Sequence, residues 1–147
     1  MNILVLYHSR NGHTRDAADA IGRVARDLKH NVLVKSVIEV TKGDIQNADL
    51  LFAGTWVHGL ILFGVKPAGA ELWVPALPSL DGKRVGIFCT YAFNPRGGLS
   101  TLKSMLEARG ATVIGQRAFH RSRPDDGAAL FVQSVLRSAE VTAPAAV

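Results

Sequence analysis

The sequence predicts one α/β domain, a three-layer sandwich on a five-stranded parallel sheet, and three observations carry that prediction. Five short apolar runs recur along the chain, several without the strict alternation of a sheet that is wet on one side. Segments with helical spacing lie between them, as right-handed βαβ crossovers require. The length of 147 residues suits one domain, and 48% apolar residues suffice for a core without staples.

Taken in order, NILVLY at 2–7 is the first strand. From Thr14 to Lys29, the residues Ala18, Ile21, Ala25 and Leu28 recur at spacings of three and four, with Ala17 and Val24 widening the stripe. Arg15, Asp16, Asp19, Arg23, Arg26 and Asp27 take the remaining surface of that helix. VLVKSV at 32–37 is the second strand. The connection TKGDIQNA at 41–48 is too short for a full crossover helix, so a turn or two and a thin layer are expected there. DLLFAG at 49–54 is the third strand. Region 60–82, with Pro67, Pro75 and Pro78, reads as irregular, with a short helix near 67–72. RVGIFCT at 84–90 is the fourth strand, and Leu99, Leu102, Met105 and Leu106 mark a helix that stops at Gly110. TVIGQRAF at 112–119 is the fifth. The last helix is expected to open near Pro124, with Asp125 and Asp126 at its positive end, and to bury Phe131, Val135 and Leu136. Residues 1–140 then form the domain, and 141–147 a flexible tail.

Composition removes several classes of function. The lone cysteine, Cys89, cannot pair within the chain, and inside VGIFC it reads as a buried hydrophobe. Met1 leads directly into a strand, and the longest apolar stretch, 50–64, is broken by glycines and His58. It also falls short of the roughly 20 residues of a membrane helix. A cytoplasmic location and no membrane contact are therefore expected. The charge of +5 favours an acidic partner, while the scattered Lys and Arg give no nucleic-acid patch. The histidines at 8, 13, 30, 58 and 120 have no metal-site spacing, and Ser9 beside His8 lacks the paired carboxylate of a hydrolytic triad. No metal and no catalytic residue are assigned.

The chemistry concentrates after the first strand, in HSRNGHT. Ser9 and Thr14 offer hydroxyls, Asn11 an amide, and Gly12 a tight turn. Arg10 and His13 add charge, and the following helix N-terminus supplies unpaired N–H groups and a favourable dipole. These features suit a phosphate; the plainer reading is a turn that caps a helix. GxGxxG and GxxxxGK[ST] are both absent.

Ligands of a doubly wound sheet lie at the carboxyl ends of its strands, so two more loops should meet the first. Thr55, Trp56, Val57, His58 and Gly59 follow the third strand, and Trp56 offers a planar face for a flat ring, or else a core side chain. Thr90, Tyr91, Phe93, Asn94, Arg96 and Gly97 follow the fourth, with Tyr91 the better candidate than Phe93 for the opposite ring face. Trp73 falls far from any predicted strand end and reads as structural. A phosphate loop with two ring-facing loops makes a coherent mononucleotide pocket.

At these residues the chain resembles the flavodoxin family over 1 to about 138. Ser9-Arg10-Asn11-Gly12-His13-Thr14 is similar to the family's Ser/Thr-x-Thr-Gly-x-Thr loop, with Asn11 in place of a threonine. Thr55-Trp56 and Tyr91 are placed like the family's ring-flanking residues. The resemblance implies strand order 2-1-3-4-5, non-covalent FMN, and one- or two-electron transfer with a redox partner protein. Val57, His58 and Arg96 stand where the family often has carboxylates, and the basic charge suits an acidic partner. Two other readings stay open: a small FMN-dependent NAD(P)H:quinone-type reductase, and an interaction or regulatory module with weak or no FMN binding.

Overall fold

The computed structural model describes residues 1–9, 12–60, 64–67, 70–92 and 97–142. The strands are β1 (Asn2–Tyr7), β2 (Asn31–Ser36), β3 (Leu50–Leu60), β4 (Gly64–Pro67), β5 (Arg84–Tyr91) and β6 (Thr112–His120). The helices are α1 (His13–Asp27), α2 (Lys42–Asn47), α3 (Ala70–Ala76), α4 (Gly98–Glu107) and α5 (Ala128–Thr142). Five strands are parallel in the order β2-β1-β3-β5-β6, which is 2-1-3-4-5 when the parallel strands alone are counted. The three-layer α/β sandwich is the one the apolar runs predict, and the strand order is the one the resemblance implies.

The absence of strict alternation has a direct cause. Along β1, Ile3 and Val5 enter one core with α1 and α5, while Leu4 and Leu6 enter a second with α2, α3 and α4. All four are at most 2% exposed. Each such side chain contributes on the order of 1.5–3 kcal/mol on leaving water. Phe52 and Phe131 meet edge to face at 5.5 Å in the first core, and Phe88 and Phe119 do so at 6.3 Å. Cys89 is buried, and loss of solvation pushes its thiol up to about 12, so it acts as a small hydrophobe.

The expected thin layer is α2, a six-residue helix. Its brevity is offset by full capping. The Thr41 hydroxyl accepts from the Asp44 N–H at 3.1 Å, and the Asp44 carboxylate accepts from the Thr41 N–H at 2.9 Å. At the other end, Lys83 Nζ donates to the carbonyls of Gln46 and Ala48, a cation on the negative end of the helix. Lys35 Nζ adds an ion pair to Asp44 at 2.8 Å. The ammonium of Lys35 first, and then the Thr41 N–H, hold the Asp44 carboxyl below the usual carboxylate range.

Three expectations are corrected. β3 does not stop at residue 54 but runs to Leu60, and β4 folds back on it antiparallel, from Val57 opposite Pro67 to Leu60 opposite Gly64. The short helix after it lies at Ala70–Ala76 rather than near 67–72, with Pro75 in its last turn. The last helix opens at Ala128, not near Pro124. Gly127 holds φ at +84°, a left-handed conformation that ends the preceding turn and cannot sit inside a helix. Asp125 and Asp126 therefore belong to that turn. α5 then continues through Thr142. Among the described residues, no helix is long and apolar enough to cross a membrane, and no cluster of side chains could hold a metal ion.

Candidate functional site

β1, β3 and β5 are neighbours in the sheet, so the segments that leave their carboxyl ends converge. Between them lies a cavity of about 80 Å³. Ser9, His13 and Thr14 form one side, Trp56 and Val57 a second, and Thr90, Tyr91 and Ala92 a third, with Arg121 closing the rim.

The first side is built as the sequence implies. The His8 N–H donates to the Gly54 carbonyl at 3.0 Å, which ties the loop to β3. The Ser9 hydroxyl accepts from the Gly12 N–H at 3.0 Å, and Gly12 sits at φ +86° as the residue that starts α1. Among the described residues, no side chain caps the start of α1. The contrast with α2, closed by Thr41 and Asp44, is informative: the first-turn N–H groups of α1 lie at the cavity with the helix dipole behind them. Thr14 is 1% exposed, and its hydroxyl lies 2.8 Å from that of Thr90. Two hydroxyls own two hydrogens and their mutual bond uses one, leaving one for a ligand.

The second side differs from a simple loop. Thr55 is fully buried opposite Cys89, and the half-buried Trp56 lies opposite Thr90. Val57 turns toward α4, where a Cβ on Gly98 would come within 2.9 Å of it. The backbones of His58 and Gly59 continue as strand opposite Lys66 and Val65. On the third side, the half-buried Tyr91 ends β5, and its ring meets His120 edge to face at 5.3 Å. Gly97 starts α4 at φ +81°. Arg10, Asn11, Phe93, Asn94 and Arg96 lie outside the described residues.

Arg121 and Ala92 were not among the residues assigned from sequence. Arg121 lies beyond the fifth predicted strand, outside the three loops read as meeting the ligand. It reaches the cavity because β6 pairs with β5, and its N–H donates to the Tyr91 carbonyl at 2.9 Å. The signal was present: two adjacent parallel strands end at the same edge of the sheet. Trp73 is buried in the second core, as its structural reading requires, yet its ring centroid is 6.4 Å from that of His8, where the first loop begins. Its indole N–H has no hydrogen-bond partner among the described residues.

The arrangement suits an anion at one end and a flat apolar group at the other. Among the described residues lining the cavity there is no carboxylate, whereas Arg121 brings a full positive charge. An uncapped helix start with two hydroxyl-bearing side chains beside it fits a phosphate without a metal. Trp56 and Tyr91, both partly exposed, present aromatic surface next to it.

A flavodoxin-domain family model matches residues 4–111. A curated flavodoxin of Maridesulfovibrio salexigens is 27% identical over a 127-residue alignment that spans 76% of this chain and 80% of the relative. Among solved structures, the two-electron reduced flavodoxin of Megasphaera elsdenii superposes with a TM-score of 0.72 at 22% identity, covering 95% of this chain and 99% of its own. Oxidised flavodoxin 2 from Bacillus cereus gives 0.73 at 20% identity, covering 93% and 99%. A cysteine-to-serine variant of the Pseudomonas aeruginosa flavodoxin gives 0.74 at 13%, covering 95% and 99%. At these identities the structural matches speak for the fold.

Proposed function

Because the chain belongs to the flavodoxin family, we propose that it binds FMN non-covalently and serves as an electron carrier for a redox partner protein. The observation that carries this reading is the glycine-started α1, which no described side chain caps and which opens onto a cavity flanked by Trp56 and Tyr91 with no carboxylate among its described lining residues. When bound, FMN supplies reversible one- or two-electron chemistry.

The residues divide the work. Ser9, the N–H groups around His13 and Thr14, and the hydrogen left over from the Thr14–Thr90 pair hold the phosphate. Gly12 lets the backbone approach it. Trp56 and Tyr91 orient the ring and shield its edges from water. Arg121 places positive charge at the rim, which favours the more electron-rich state of whatever occupies the site. With the net charge of +5, Arg121 and Arg123 in the turn after β6 favour an acidic docking partner.

An absorption spectrum of the purified protein, before and after loading with FMN and removal of the unbound fraction, tests the reading. Retained flavin bands at equimolar stoichiometry support it. A protein that retains no FMN overturns it and leaves the interaction module. If flavin is retained and the isolated protein oxidises NAD(P)H catalytically, the carrier role gives way to the reductase.

A further inference from the structure

His120 is the last residue of β6 and lies in register opposite Tyr91. Its ring joins two segments that both line the cavity. Nε2 is 2.9 Å from the carbonyl oxygen of Ala92, and Nδ1 is 3.2 Å from the Ser122 N–H and 2.7 Å from the Ser122 hydroxyl.

The partners dictate where the ring proton sits. A carbonyl oxygen can only accept, so Nε2 must carry hydrogen; a backbone N–H can only donate, so Nδ1 must present its lone pair. Both bonds are satisfied together only by the neutral tautomer protonated on Nε2. The Ser122 hydroxyl then has Nδ1 available as an acceptor as well. The Arg121 N–H to Tyr91 carbonyl bond lies alongside, so Tyr91 and Ala92 are held at consecutive carbonyls.

We propose that His120 is a positioning residue: as the Nε2-protonated tautomer, it clasps the Tyr91–Ala92 segment to the turn at 120–122 and so sets the aromatic wall of the site. This rests on the flavin reading only for its effect on affinity; the clasp itself belongs to the ligand-free protein. His120 touches no reacting group, and its action passes through Tyr91.

Three variants separate the roles of the ring. His120→Gln keeps a donor that can reach the Ala92 carbonyl. His120→Asn keeps an acceptor near Ser122 but falls short of Ala92, and His120→Phe keeps only the edge-to-face contact with Tyr91. Nitrogen-15 spectra of the wild-type imidazole should report hydrogen on Nε2, and a ring protonated on Nδ1 overturns the proposal. The Tyr91 ring signals and the 91–92 amide signals should move in the Phe and Asn variants and stay near wild type in the Gln variant. FMN affinity should fall about fivefold or more in the Phe and Asn variants, the scale of one lost hydrogen bond, and return in the Gln variant. Equal affinity in all three, or Tyr91 signals that ignore the substitutions, overturns the clasp. If the wild type binds no FMN, the flavin reading fails alone, and the spectra of the ligand-free variants still decide this one.

Discussion

The hydroxyls of Thr14 and Thr90 lie 2.8 Å apart, and both residues are almost wholly shut off from water, at 1% and 2% exposure. One belongs to the first turn of α1 and the other to the end of β5, so the bond fixes two sides of the site against each other.

Replacing only one of them strands a buried hydroxyl. Thr90→Val should cost about 1–3 kcal/mol in denaturant unfolding, whereas the double change to valine should cost less than the sum of the singles. A double-mutant cycle with no coupling would remove the bond from any structural account. FMN affinity should drop in the double variant even where stability recovers, since the hydrogen left for a ligand is gone.

A Cβ at Gly54 would fall 2.3–2.4 Å from ring carbons of Phe88, and the Gly54 carbonyl accepts the His8 N–H that anchors the first loop. Gly54→Ala should therefore destabilise by about 1–3 kcal/mol or more and weaken ligand binding through His8. Phe88→Leu in the same chain should recover part of both losses. A Gly54→Ala protein with wild-type melting would contradict the packing described.

Asp44 is more acidic folded than unfolded, because Lys35 and the Thr41 N–H favour its charged form. Its contribution is therefore complete above the unfolded carboxyl's range, near pH 4, and is lost as pH falls through the lower folded value. Asp44→Asn should lower stability at pH 7, and the gap to wild type should close with acidification. Unfolding midpoints at pH 7 and below pH 3 check the sign; a gap that widens in acid would refute it.

Arg121 is the cation among the described residues that line the cavity. Arg121→Glu should weaken FMN binding roughly tenfold at low salt, less at high salt, as reversing a charge at the exposed rim of an anion's site would. The reduction potential should shift to more negative values. Arg137→Glu, an equal charge change on an exposed part of α5, should do neither.

The strands were legible because burial on both faces leaves a continuous apolar run, as Ile3 to Leu6 illustrates, and such runs depend little on context. β4 was not legible, because Gly64–Pro67 is strand only by pairing with the overlong β3, a tertiary event. The start of α5 was misread because Pro124 suits a helix start locally, while Gly127, left-handed three residues later, decides the boundary. Ser9, Thr14, Trp56 and Tyr91, chosen from strand-end position and residue type, line the cavity, and Gly12 starts the helix beside it. The His120 bond to Ala92 spans 28 residues. Nothing in either local sequence announces it.

The three site segments leave strands that are immediate neighbours, so their anchor points inherit the sheet's own pitch of about 4.8 Å per strand. The span from the β1 edge of the site to the β5 edge is thus fixed by backbone hydrogen bonds at roughly 10 Å, whatever side chains the segments carry. The sheet works as a ruler, and the segments are exchangeable fittings on it. A relative that shares only 13% of its residues with this chain keeps the same fold, and with it the same ruler. Transplanting 120–122 together with Tyr91 and Ala92, the two fittings that His120 joins, should then carry Arg121 into a relative as a unit.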